Sequence, residues 1–282
     1  VTAPANNLVL SLFPGVGLLD RGFEDAGFCV VRGPDKIWGG DIRKFSPARH
    51  IFGGVIGGPP CQNFSRANRK KDFAAGMLLV NEFIRVVCDA APEWFLMENV
   101  PGSPTVTGPF LAAGFHVQHF YLDASHVGSE QRRSRKFHFG FKSGRELVFK
   151  RDAAACDGAA SQPTCLASKS GGRSWKDFVR LQGLPDDFDL PFTLENKFRA
   201  VGNGVPYPLA LALAQAIAAR GRNVTPHRVC ECGCGEFVTG RAKLSNVACR
   251  KRMQRLRDAL PVTVQAPRQF NLTLQSEILS PV

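Results

Sequence analysis

Residues 8–23, Leu8-Val9-Leu10-Ser11-Leu12-Phe13-Pro14-Gly15-Val16-Gly17-Leu18-Leu19-Asp20-Arg21-Gly22-Phe23, decide the fold. Leu8 to Phe13 is a short, almost continuous apolar run, closed by Pro14 and Gly15, as expected of a strand buried on both faces. Leu18, Leu19, Phe23 and Ala26 then recur at helical spacing, and Gly27 supplies a stop. A strand that passes through a glycine loop directly into a helix opens a βαβ unit. The same alternation continues downstream. Phe28–Val31 and Val55–Ile56 read as strands, the latter ending in the turn Gly57–Pro60. Met77–Ala90 reads as a helix, and Trp94–Met97 as a strand running into Glu98-Asn99-Val100. The expected fold class is α/β, with a mostly parallel sheet covered on both faces. Chemistry in such sheets gathers at the carboxyl ends of the strands, which singles out 13–17, 57–65 and 98–100.

Composition narrows the function classes. The 282 residues are 44% hydrophobic and 21% charged, an ordinary globular balance that excludes wholesale disorder. No apolar run approaches the roughly 20 residues of a membrane-spanning helix. The chain opens without a basic-then-apolar leader, so a cytoplasmic location and no membrane partner are expected. Lys and Arg number 36 against 24 Asp and Glu, a net charge of +12 that favours a polyanionic partner such as nucleic acid. The nine cysteines are an odd count, spread unevenly, which suits a reduced chain better than a disulfide framework.

The expected organisation is a first catalytic unit over 1–140 and a glycine-, serine- and lysine-bearing insertion over 141–175. Order returns at Trp175–Leu181, and a return segment over 176–220 holds Gly202–Pro206 and the apolar helix Leu209–Ala219. A basic, cysteine-bearing module over 226–258 and a tail over 261–282 follow.

Read singly, each motif leaves two readings open. Phe13-Pro14-Gly15-Val16-Gly17 brings a backbone close to a ligand, because glycines remove the side chains, or is simply a turn. Cys61, stiffened by Pro59 and Pro60 beyond a strand end, is a nucleophile or a small buried hydrophobe. Glu98 is a proton donor for a heterocycle under attack or a solvated strand end. Gln131-Arg132-Arg133-Ser134-Arg135 holds anionic or carbonyl groups or is a basic surface strand.

Together these segments resemble the DNA (cytosine-5)-methyltransferase family of the bacterial or phage type, over roughly residues 8–219. LSLFPGVGLLDRGFEDAGF is similar to its cofactor loop, GGPPCQNFS to its catalytic-cysteine motif and MENV to its glutamate motif. QRRSRKFHFG, RLQGLP and GNGVPYPLA are similar to later motifs in family order. The resemblance implies a Rossmann-like methyltransferase fold, S-adenosylmethionine as methyl donor and a cytosine flipped out of double-stranded DNA by a monomer. Cys61 would attack C6, Glu98 would contact N3, and Arg133 with Arg135 would hold the base carbonyl and the glutamate. Gln62 and Ser65 would contact the nucleic acid. Phe13, Pro14, Gly15, Val16 and Gly17 would line the donor site and Asp41-Ile42 would meet the adenine, while Pro60, Leu78, Asn203 and Val205 would close the pocket. The family's usual acid at the end of the second strand is absent from Arg32-Gly33-Pro34-Asp35, which leaves Asp35 as a displaced candidate for the ribose.

The recognition region would fall in 141–175, short for reading a duplex in the major groove. The C-terminal module is expected to share that task, with Lys251, Arg252, Arg255 and Arg257 as phosphate contacts. Cys230, Cys232, Cys234 and Cys249 are either four zinc thiolates or a reduced cysteine-rich loop. Two other readings stand beside the DNA enzyme: an RNA cytosine-5 methyltransferase, and a DNA-binding protein that keeps the scaffold without turnover.

Overall fold

The computed structural model describes residues 6–65, 68, 70, 72–142, 147–148, 162–165, 172–219, 228–229, 237–238 and 247–258. Six strands form the main sheet: β1 (Leu8–Leu12), β2 (Cys29–Arg32), β3 (Gly54–Gly57), β4 (Trp94–Asn99), β5 (His116–Asp123) and β6 (Ser134–Phe141), in the order β2-β1-β3-β4-β6-β5. β2, β1, β3 and β4 pair in parallel, whereas β6 runs antiparallel to both β4 and β5. The sheet is therefore mostly parallel, with β6 reversed.

Alternation along the central strands builds two cores at once. Val9 and Ile56 face one side with α1 (Leu18–Asp25) and α6 (Tyr207–Ala219), where Phe23, Leu209, Leu213 and Ile217 are buried. Leu10, Leu12 and Val55 face the other with α2 (Phe73–Ala90) and α3 (Gly108–Ala112), against Phe83, Val87 and Phe110. Fully burying a side chain such as Phe23 contributes roughly 1.5–3 kcal/mol, which is why strands here read as continuous apolar runs. α1 and α6 cross closely at Gly22, where a Cβ would lie 2.6 Å from Ala210. α4 (Trp175–Leu181) and α5 (Leu194–Asn203) add a third cluster around Phe178, Leu181 and Val201.

Two expectations change. α2 begins at Phe73 rather than Met77, because the Asp72 carboxylate caps it by accepting from the Ala75 N–H at 2.9 Å. Of the two readings left open for Gln131–Arg135, the basic surface strand does not hold: Ser134 and Arg135 open β6, which is buried along almost its whole length between β4 and β5. Most of 141–175 lies outside the described residues. Within it, Leu147 and Cys165 are buried, and Gln162 bridges in parallel to Gln131. A short hairpin, β7 (Arg228–Val229) with β8 (Phe237–Val238), and α7 (Val247–Asp258) complete the described chain. Among the described residues no helix is long and apolar enough to cross a membrane.

Candidate active site

Two loops leave neighbouring parallel strands side by side, since Leu12 at the end of β1 pairs with Gly57 at the end of β3. The first, 13–17, is made by backbone. Phe13, Gly15 and Gly17 take positive φ values of 54°, 56° and 78°. A phenylalanine in this left-handed region is strained, and such strain tends to be kept where a ligand is bound. The Gly17 N–H closes the loop on the Pro14 carbonyl at 2.8 Å, and Gly17 starts α1. A Cβ at Gly15 would meet nothing within 4 Å, so the loop faces open space.

Both polar groups of Gly15 are held from one direction. Its N–H donates to Asp35 Oδ2 at 2.8 Å, and its carbonyl accepts the Trp38 indole N–H at 2.8 Å. Asp35 Oδ1 accepts from the Ile37 N–H at 2.8 Å, which starts a short 3-10 turn over Lys36–Trp38. Trp38 remains 60% exposed, its ring 6.1 Å from that of Phe192. Arg32, where the acid was expected, lies against Gly17 and pairs with the buried Asp20 at 2.9 Å and with Glu24 at 3.4 Å. Burial raises the Asp20 pKa, opposed by the Ser11 hydroxyl and by Arg32.

Asp41 starts a second 3-10 turn, and its hydrogen bonds with Arg43 lower its pKa to about 2. Ile42 beside it is buried. Gly204 packs against Leu18, where a Cβ would sit 2.5 Å from Leu18 Cδ1, so the 202–205 loop, which begins in the last residues of α5, adjoins the start of α1. Val205 in that loop is buried and Asn203 exposed. Pro60 is exposed, and Leu78 on α2 is 66% exposed.

The second loop is made by side chains. Gly58 passes under Glu98, near the end of β4, so closely that a Cβ would lie 2.9 Å from Glu98 Oε2. Asn99 Nδ2 donates to the Pro59 carbonyl at 3.2 Å and ties the loop to β4. Beyond the prolines, the Cys61 carbonyl accepts from Phe64 N–H at 2.9 Å and Ser65 N–H at 3.0 Å, which turns the chain back and leaves Gln62 exposed. Phe64 anchors this turn, buried and 5.3 Å from the Phe73 ring.

Glu98 pairs with Arg135, whose Nε lies 2.8 Å from Oε1, and both side chains are only 11–12% exposed. The register explains the pair: Glu98 stands opposite Phe137, so Arg135 is its diagonal neighbour on the same face. Arg133, two residues earlier on that face, is more deeply buried. Its Nη1 donates to the Cys165 carbonyl at 2.7 Å, and its Nη2 to the carbonyls of Gly202 at 2.5 Å and Gly204 at 3.0 Å. Of the two expected arginines, Arg135 therefore reaches the glutamate, while Arg133 fastens the 202–205 loop to the segment at Cys165. Gln131 extends this framework, donating to the Leu181 carbonyl at 2.6 Å and to Gln182 Oε1 at 3.0 Å.

The charges act on one another. Burial raises the Glu98 pKa, opposed first by Arg135 and then by Arg133. Burial also raises the Cys61 thiol, as does the Glu98 charge, while Arg135 and Arg133 favour the thiolate. Arg133 is lowered to about 9 by burial and by the charge of Arg135. Burial therefore works toward the protonated form of both groups, and the two arginines work against it.

Cys230, Cys232 and Cys234 lie outside the described residues, and Cys249 is buried on α7. Among the described residues no group of three or more His, Cys, Asp or Glu is placed to hold a metal ion. Of the basic residues expected to meet nucleic acid, Arg255 is exposed on α7. Trp38, Asn99 and Gln182 were not anticipated from sequence. Asn99 in MENV and Gln182 in RLQGLP lie within motif segments, whereas Trp38 carries no signal.

Comparison with known proteins agrees with this geometry. The family model described as C-5 cytosine-specific DNA methylase matches residues 8–163 and 174–219. The chain is 34% identical to the Type II methyltransferase M.FnuDI of Fusobacterium nucleatum, over 74% of this chain and 93% of that protein. It is also 34% identical to the Type II methyltransferase M.NgoPII of Neisseria gonorrhoeae, where the match spans half of each protein. Among solved structures, DNMT2 of Spodoptera frugiperda shares the fold with a TM-score of 0.54 at 15% identity, over 75% of this chain and 99% of that one.

Proposed function

Because the chain belongs to the C-5 cytosine-specific DNA methylase family, we propose that it transfers a methyl group from S-adenosylmethionine to C5 of a cytosine flipped out of duplex DNA. The observation that carries this reading is the Cys61 loop folded beneath a buried Glu98–Arg135 pair at the carboxyl edge of the sheet. The donor site fits an adenosyl group. Open space faces Gly15, an exposed indole stands beside it, and the Asp35 carboxylate keeps acceptor capacity for ribose hydroxyls after taking two backbone N–H groups. Phe13 to Gly17, Asp35, Asp41, Ile42, Pro60, Leu78, Asn203 and Val205 are the residues that would hold it. When bound, S-adenosylmethionine supplies an electrophilic methyl group.

The Cys61 thiol loses its proton to water, its sulfur bonds to C6 of the base, and the electrons of the C5–C6 double bond shift toward N3. Glu98, whose pKa burial raises, gives a proton to N3, and Arg135 steadies the carboxylate left behind. The same proton transfer leaves C5 enamine-like and nucleophilic, which unmodified cytosine is not. After methylation, water takes the C5 proton, the C5–C6 double bond re-forms as Cys61 leaves as thiolate, and N3 returns its proton to Glu98. Arg133 holds the 202–205 loop in place throughout.

Incubating the purified protein with unmethylated genomic DNA and S-adenosylmethionine, followed by bisulfite sequencing, tests the reading. Protection of cytosines in one short sequence context is the expected result. Absence of protection by a protein that binds the donor would overturn it in favour of an RNA substrate or a silent scaffold.

A further inference from the structure

The excess charge of this chain is unevenly placed. Residues 220–282 hold eleven Lys and Arg against four Asp and Glu, so they carry +7 of the total +12 on fewer than a quarter of the residues. Within that stretch, α7 carries Arg250, Lys251, Arg252, Arg255 and Arg257 against a single acid, Asp258. The helix has two characters. Cys249 is buried and Met253, one turn on, is half-buried, so this side packs inward. Arg250, Lys251 and Arg255 are exposed.

A solvated surface helix ordinarily interleaves acids with bases at i,i+4, and like charges at that spacing destabilise it. Here Lys251 and Arg255 stand four apart. Such a face is favourable when a polyanion neutralises it.

We infer that α7 is a second, sequence-independent contact for duplex DNA, with Arg250, Lys251 and Arg255 on backbone phosphates. The choice of duplex as the polyanion rests on the methyltransferase reading above. The contact anchors the protein while the catalytic edge handles the base. Phosphate contacts set register and residence without specifying bases, which suits a chain whose 141–175 segment is short.

The test is the salt dependence of duplex binding, followed by fluorescence anisotropy with an unmethylated duplex between 50 and 200 mM salt. Each lost phosphate contact removes about 0.9 from the slope of log affinity against log salt. The triple variant Arg250→Gln/Lys251→Gln/Arg255→Gln is expected to lower the slope by roughly 2–3, and Arg250→Lys/Arg255→Lys to preserve it. Glutamine and lysine are both good helix formers, so circular dichroism should be unchanged. A slope unaltered by the triple variant overturns the role of α7 and leaves the methyltransferase reading standing. A parental protein that does not bind duplex overturns both. Preferential displacement of the duplex by a single-stranded RNA of equal length overturns the assignment of α7 to DNA.

Discussion

The loops after β1 and β3 emerge from adjacent strands at the same edge, yet they are built in opposite ways. The 13–17 loop offers backbone: three positive φ values, a glycine facing open space, and main-chain groups held by Asp35 and Trp38. The 57–65 loop offers one side chain, Cys61, and borrows its chemistry from Glu98 and Arg135 on two other strands. One site depends on where the main chain runs, the other on which charges surround a sulfur. Substitutions should therefore separate donor binding from turnover.

The largest separation is expected from Cys61→Ser. An alcohol presents almost no anion near neutral pH, so methyl transfer should fall by at least about 10³-fold. Affinity for S-adenosylhomocysteine, measured by calorimetry, should stay within about twofold, because the sulfur is remote in function from the donor loop. Parental turnover in this variant would remove covalent catalysis from the comparison.

The same change of glycine to alanine in each loop sharpens it further. Gly58→Ala puts a methyl 2.9 Å from Glu98 Oε2 and must displace the carboxylate from Arg135. Misplacing a catalytic group in this way costs roughly 10²-fold in turnover. Gly15→Ala meets no neighbour but forces alanine to a φ of 56°, at a cost of about 1–2 kcal/mol that should appear as roughly tenfold weaker donor binding. If Gly15→Ala lowered turnover at saturating donor more than Gly58→Ala did, the division of labour would be inverted.

The smallest effect concerns charge alone. The Glu98 carboxylate raises the Cys61 pKa, because a second anion is harder to form beside the first. Glu98→Gln removes that charge and should shift the pH profile of Cys61 alkylation by iodoacetamide to lower pH. An unmoved profile would show that Glu98 does not act on the sulfur.

Much of this edge is legible in the sequence, for a physical reason. Apolar runs that end in Gly and Pro mark the strand ends, and a parallel sheet places those ends together, so the neighbourhood of Phe13, Cys61 and Glu98 follows from pattern. The division between Arg133 and Arg135 does not. They stand two residues apart, Arg133 just before β6 and Arg135 within it, and only the register with β4 shows which one meets Glu98. Trp38 is equally hidden, because a loop that bonds to the main chain of another loop leaves no periodic trace, and Asp35 is reached only through the resemblance, as an acid displaced from the end of the second strand. β5 and β6 escape for a related reason. Their antiparallel pairing is made between segments with no tight turn signal, and β6 is buried on both faces. At α7, spacing and charge show the helix and its basic face, but which side packs inward is visible only in the burial of Cys249.

The reversed direction of β6 has a consequence for folding. Its parallel neighbours deliver their last residues to the reactive edge, whereas β6 delivers its first, so Arg135 meets Glu98 only after the two strands have zipped. A slip of one residue would turn Arg135 to the opposite face and strand a carboxyl group in the interior without its guanidinium. The Glu98–Arg135 pair thus also penalises misalignment, and a chain that has not closed β6 correctly has not assembled the candidate site.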